Sequence, residues 1–232
     1  MLVVPAALAA GCASYTQIAP QERSAIEREL TGADREKFLK LSYYVTPFFG
    51  DASKKLLTHV PPEEVRMLNH PNGEPVNPGA VEKVIPAGRR VRITKVEFPT
   101  SWAVTERVLY TPRTQPWVYL EIADEPRTHP FILVLRQKIG SQDEFLAEIG
   151  RFLTDRDPQP LLDGFSEGVR EAIRRKNAVP DMPSEALEMA WGYPEIKRID
   201  APNRRETWLY PGRNRIAYLV EGRLERTEIG GK

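Results

Sequence analysis

The 21 prolines in 232 residues constrain this chain more than any other feature. Each proline fixes one backbone dihedral and removes one amide donor, so neither helices nor central strands run far through it. A fold of short elements divided by turns follows. Between the breaks the hydrophobic period changes: three- and four-residue steps near the start, alternation in the middle, both toward the end. That succession predicts an α+β fold.

Charge narrows the partners. Lys and Arg number 33 against 32 Asp and Glu, so there is no electrostatic case for nucleic acid. A hydrophobic content of 41% is enough for a packed core and excludes a disordered chain. The length suits one large domain or two small ones.

From Pro20 to about Phe49 the pattern reads as two helices. Ile26 and Leu30, then Phe38, Leu39 and Leu41, recur at helical steps. Thr31-Gly32-Ala33-Asp34 separates them, with Thr31 or Asp34 as cap of the second, which Pro47 ends. Tyr43, Tyr44, Phe48 and Phe49 form an aromatic cluster expected to pack onto the next unit.

Residues 51–136 alternate instead. Strands are predicted within Val84–Phe98, with Val91, Ile93 and Val96 inward, and at Ala103–Tyr110, Trp117–Ile122 and Phe131–Arg136. Together they predict a small antiparallel β-barrel. Ile85-Pro86-Ala87-Gly88, followed by Val91-Arg92-Ile93, resembles the hairpin of bacterial SH3-like domains. On this reading residues 22–150 are a helical hairpin plus an SH3-like β domain.

Ser141-Gln-Asp-Glu144 is a capping-box spacing that opens a helix carrying Phe145, Leu146, Ile149, Phe152 and Leu153 on one face. After the break at Asp157–Pro160 a second helix is expected over 161–176, with Leu162, Phe165, Val169 and Ile173 inward. Its basic end, Arg170, Arg174, Arg175 and Lys176, complements the helix dipole. Pro183 starts a third helix; Gly192 and Pro194 stop it. Strands follow at 196–199, 205–210 and 215–220. Trp208 and Tyr210 share one face of the second, and Ile216, Tyr218 and Val220 one face of the third. The expectation is a two-layer module, two helices on a three-stranded antiparallel sheet. Asp181-Met182 through Ala190-Trp191-Gly192-Tyr193-Pro194, then Glu206-Thr-Trp208-Leu-Tyr210 and Tyr218–Leu224, resemble the SmpA/OmlA (BamE-like) lipoprotein family over residues 160–229. That resemblance implies the α+β module and a place in envelope assembly.

The amino terminus reads as an address. Met1 to Gly11 is apolar, too short to span a bilayer and the length of a signal-peptide core. Ala9-Ala10-Gly11-Cys12 resembles the lipobox of bacterial lipoproteins, which implies cleavage before Cys12 and its acylation, palmitate included. Residues 1–11 are then a signal peptide and 12–21 a lipidated tether. By the same resemblance, Ala13 after the cysteine implies the periplasmic face of the outer membrane.

No catalytic, metal or cofactor motif emerges. His59, His70 and His129 lie near prolines without a second ligand at metal spacing, and there is no phosphate loop or nucleophile elbow. A non-enzymatic binding or scaffold role is expected, with Trp102, Trp117 and Trp191 as partner-binding anchors. The partners are the membrane, through Cys12, and an envelope protein. Peptidoglycan, through the SH3-like unit, is the alternative, and inhibition of a periplasmic enzyme a further one.

Overall fold

The computed structural model describes residues 15–32 and 34–230; Cys12 and the expected signal peptide, residues 1–11, lie outside them. Within that range the chain is α+β, with six helices, an eight-stranded mixed sheet and a four-stranded antiparallel sheet.

The first helix, α1 (Pro20–Leu30), buries Ile26 and Leu30 as the spacing requires. The second expected helix is instead two strands, β1 (Glu36–Leu39) and β2 (Tyr43–Phe48). Phe38, Leu39 and Leu41 fit either period. Pairing to neighbours on both sides decides for strands, assisted by the aromatic and β-branched run Tyr43–Thr46. Pro47 tolerates this because no strand pairs with it on the side away from β3 (Asp51–Thr58).

β1 and β2 are two halves of one bent strand, as are β4 (Lys83–Ile85) and β5 (Arg90–Glu97). Phe38 opposes Arg90 and Tyr43 opposes Ile85 in one register. Residues 36–38 and 43–45 therefore face 90–92 and 83–85 in a single register on either side of the bend. With β3, β6 (Trp117–Ile122) and β7 (Phe131–Val134), the sheet wraps into a ring of five long strands, in which only β3 and β7 run parallel. Val91, Ile93 and Val96 are all buried; a bulge between Ile93 and Lys95 shifts the alternation from odd to even positions.

Ala103–Tyr110 is not a strand. Thr100 accepts from the Ala103 amide and starts the short helix α2 (Ser101–Glu106), and an open loop follows. Inside the ring, Val118, Leu120, Ile122 and Leu133 meet α1 and α3 (Gln142–Phe152) in one core. Ser141 caps α3, and Glu144 reaches back to the Gly140 amide. On the outer face Phe48, Leu56, Trp117, Ile132 and Val134 make a second, smaller core. A two-residue strand, β8 (Leu153–Thr154), adds to the edge of β1.

The helix expected over 161–176 is broken at Gly164–Ser166 into α4 (Gln159–Asp163) and α5 (Glu167–Arg175), because Ser166 caps a new helix through the Val169 amide. α5 and α6 (Ser184–Trp191) cover one face of a sheet ordered β12 (Arg223–Ile229), β11 (Arg215–Val220), β10 (Arg205–Leu209), β9 (Ile196–Asp200). It has four strands rather than three. The inward face of β11 carries Arg215, Ala217 and Leu219, not Ile216, Tyr218 and Val220. Trp208 explains this: it lies opposite Ala217, whose small side chain leaves the indole its volume.

Candidate functional site

The three tryptophans expected at an interface part company. Trp117 is 2% and Trp191 5% exposed, both core residues out of a partner's reach; Trp102 is 73% exposed. It stands on α2, whose six residues bury no side chain. Beyond α2, Val108, Leu109 and Tyr110 are also exposed. These apolar groups are presented by residues 100–116, the connection between β5 and β6.

That connection is held from beneath by Arg107. Its guanidinium donates to Glu97 Oε1 at 2.6 Å, to the Arg113 and Gln115 carbonyls at 2.5 and 2.7 Å, and to the Glu97 carbonyl at 3.1 Å. Its face lies 3.8 Å from the Trp117 ring centroid. Burial lowers the Arg107 pKa, and Glu97 opposes that. Burial alone raises the Glu97 carboxyl, but hydrogen bonds from Lys95 and Arg107 bring it below the usual range. Arg113 binds the Val104 carbonyl, Thr111 that of Val108, and the Trp117 indole that of Pro112. A loop tied at so many carbonyls presents Trp102 and Leu109 from a fixed frame. Trp102 and Val108 line a hollow together with Trp117 and Tyr119.

A second exposed feature is β9. All five of its residues are exposed, Ile199 among the most, and among the described residues β10 is its only partner strand, which leaves the other side of its backbone unpaired. Lys197 reaches back to Glu188 on α6 and lies 4.0 Å from the Trp208 ring.

The remaining concentration of polar groups is buried where the ring meets the helices of the second sheet. At the bend between β1 and β2, Ser42 donates its amide to the Met189 carbonyl and its hydroxyl to that of Ile173, both at 2.7 Å. The same hydroxyl accepts from the Ala87 amide. Lys176 closes α5 in the left-handed conformation, and its ammonium donates to the Ser42 and Ala190 carbonyls, each at 2.7 Å. It is thus no part of a surface basic end: burial, then Arg215, hold its pKa well below the usual lysine range. Arg174 and Arg170, by contrast, pair with Glu167 on the surface. Glu64, from the loop after β3, and Arg215 of β11 make an ion pair at 2.9 Å with both side chains under 9% exposed. Arg215 also stacks on Trp191 and Tyr210.

His59 belongs to this junction. Its ring lies against Phe152 and so close to Gly192 that a Cβ there would meet Cδ2 at 2.5 Å. Gly192, with φ +84°, is required by its conformation and by this approach. Burial first, then the charges of Lys176, Arg151 and Arg215, push the histidine down to about 3. A neutral imidazole set among cations is a packing group rather than a proton carrier at neutral pH. Among the described residues no group of three or more His, Cys, Asp or Glu is placed to hold a metal, and no helix is long and apolar enough to cross a membrane.

Sequence reasoning singled out Trp102 but neither Arg107 nor the neighbours Leu109 and Tyr110, whose strand-like spacing concealed an open loop. No family model matches this chain, no curated protein matches it, and no solved structure matches it.

Proposed function

We propose that this protein is a lipid-anchored outer-membrane protein on the periplasmic face, held through Cys12 and acting as a non-catalytic protein-binding or scaffold component in envelope assembly or maintenance. The observation that carries the binding role is β9, an edge strand with five exposed residues and one unpaired side. An extended segment of a partner adds to such an edge through main-chain hydrogen bonds, and Ile199 offers it an apolar contact. The anchor rests on the lipobox-like Ala9-Ala10-Gly11-Cys12.

We read the second sheet with α5 and α6 as a BamE-like module and the five-strand ring as SH3-like. The first reading is supported by Met182, Trp208 and Leu224 meeting in one core, the second by the Ile85–Gly88 turn between the halves of a bent strand. The ring is also what favours the alternative of cell-wall binding.

Labelled palmitate tests the anchor: incorporation is expected in the wild type and none in Cys12→Ala. A photo-cross-linker at Ile199 tests the edge, with an outer-membrane protein expected as its adduct. Retention of the protein on purified peptidoglycan, with no adduct at Ile199, favours the alternative.

A further inference from the structure

We propose that residues 100–110 form a membrane-contact loop, with Trp102, Leu109 and Tyr110 seated in the headgroup region of the bilayer. The inference rests on the proposed anchor at Cys12 and adds a second point of attachment to it.

Position is the first argument. Where the described chain starts, the Tyr15 amide donates to the Pro99 carbonyl at 3.1 Å, one residue before the cap of α2. Cys12 is three residues upstream, a reach of roughly 10 Å for extended chain. A bilayer holding the acyl chains of Cys12 therefore lies within about that distance of Pro99, and α2 begins there. Of the ten large apolar residues exposed among the described residues, five belong to the start of the described chain or to this loop: Tyr15, Trp102, Val108, Leu109 and Tyr110. The other five lie on other segments: Val81, Leu161, Ile229, and the pair Ile196 and Ile199 on β9.

Chemistry is the second argument. Tryptophan and tyrosine combine an apolar ring with one polar atom and favour the membrane–water interface over either phase, and leucine adds apolar depth. The hollow beside Trp102 is lined by three carboxylates (Asp51, Glu97, Glu106) and three cations (Lys54, Lys95, Arg107). The loop thus has no electrostatic preference for anionic lipid, and its contact is apolar. Arg107 fixes the backbone beforehand, so little ordering accompanies insertion. An anchor three residues from Tyr15 keeps the loop at high local concentration at the surface, where even weak insertion is populated.

The test uses full-length acylated protein in phosphatidylcholine vesicles with brominated acyl chains. Trp117, Trp191 and Trp208 are buried, so emission quenched by these lipids reports Trp102. We expect a blue shift and loss of the Trp102 contribution, both absent in Trp102→Phe and weakened in Leu109→Glu. The mass of the Cys12 fragment is measured on the same sample. Acylated Cys12 with Trp102 unquenched by brominated lipid and still open to aqueous acrylamide overturns the loop and leaves the anchor standing. Brominated-lipid quenching without an acyl group on Cys12 supports the loop and removes the anchor.

Discussion

Arg107 and Lys176 solve the same problem to opposite ends. Each is a buried cation that donates to backbone carbonyls, Arg107 within its own loop and Lys176 across the two halves of the chain. Arg107 also has a carboxylate, Glu97, and both lie over an aromatic ring, Trp117 for Arg107 and Tyr44 for Lys176. What they hold differs. Lys176, with Ser42, Glu64 and Arg215, seals an inward junction and leaves nothing for a partner. Arg107 turns outward everything that does not serve the frame. A buried charge is thus no pointer to function by itself; what it leaves exposed is the informative quantity.

Breaking the junction should cost most. Arg215→Ala strands Glu64 without its partner and should lower stability by about 3–5 kcal/mol, whereas Glu64→Leu with Arg215→Met should recover most of that. Urea unfolding of the three proteins checks it. Equal losses in the single and double variants would contradict a desolvated pair.

Arg107→Met keeps the stem and removes the donors. A loss of about 2 kcal/mol is expected, with faster hydrogen exchange confined to residues 100–116. Exchange that quickened across the whole ring would mean that Arg107 supports the fold and not only the loop.

The junction should also respond to acid. An unfolded histidine protonates near 6.5 and His59 in the fold only near 3. Between those values the unfolded chain binds the extra proton, so stability present above pH 6.5 is lost as pH falls toward 3. His59 retains some solvent contact, which moderates the loss to about 1–2 kcal/mol between pH 7 and 5. His59→Asn should flatten that part of the urea-midpoint profile, and an unchanged slope would assign it elsewhere.

The smallest effect sharpens the contrast. Trp102→Ser should change stability by less than about 0.5 kcal/mol, since the side chain is 73% exposed. Thermal unfolding measures it, and a large loss would show the indole to be a structural group.

Legibility followed how local the determining contacts are. The helix opened by Ser141 and Glu144 and the one closed by Gly192 were readable because the capping groups lie within a few residues of the ends they satisfy. β1 and β2 were not, because Phe38 and Tyr43 become strand residues through partners remote in sequence, Arg90 and Thr154 for Phe38 and Ile85 for Tyr43. The inward face of β11 was misjudged since Ile216, Tyr218 and Val220 form a better apolar set than Arg215, Ala217 and Leu219; the register against Trp208 overrides composition. Of the candidate site, Trp102 was readable as a residue type, but its separation from Trp117 rests on a loop tied by Arg107, whose partners span Glu97 to Gln115, and its separation from Trp191 on the core of the second sheet.

Ser42 has a consequence for the order in which the chain becomes structured. Its hydroxyl, amide and carbonyl are sealed by groups from Ile173, Met189 and Lys176. A chain emerging from its amino end, at a ribosome or a membrane pore, presents Ser42 long before any of these exists. The ring assembled from the first 150 residues then carries an open polar seam at its bend, and a nascent chain halted at that length stays a substrate for chaperones and proteases.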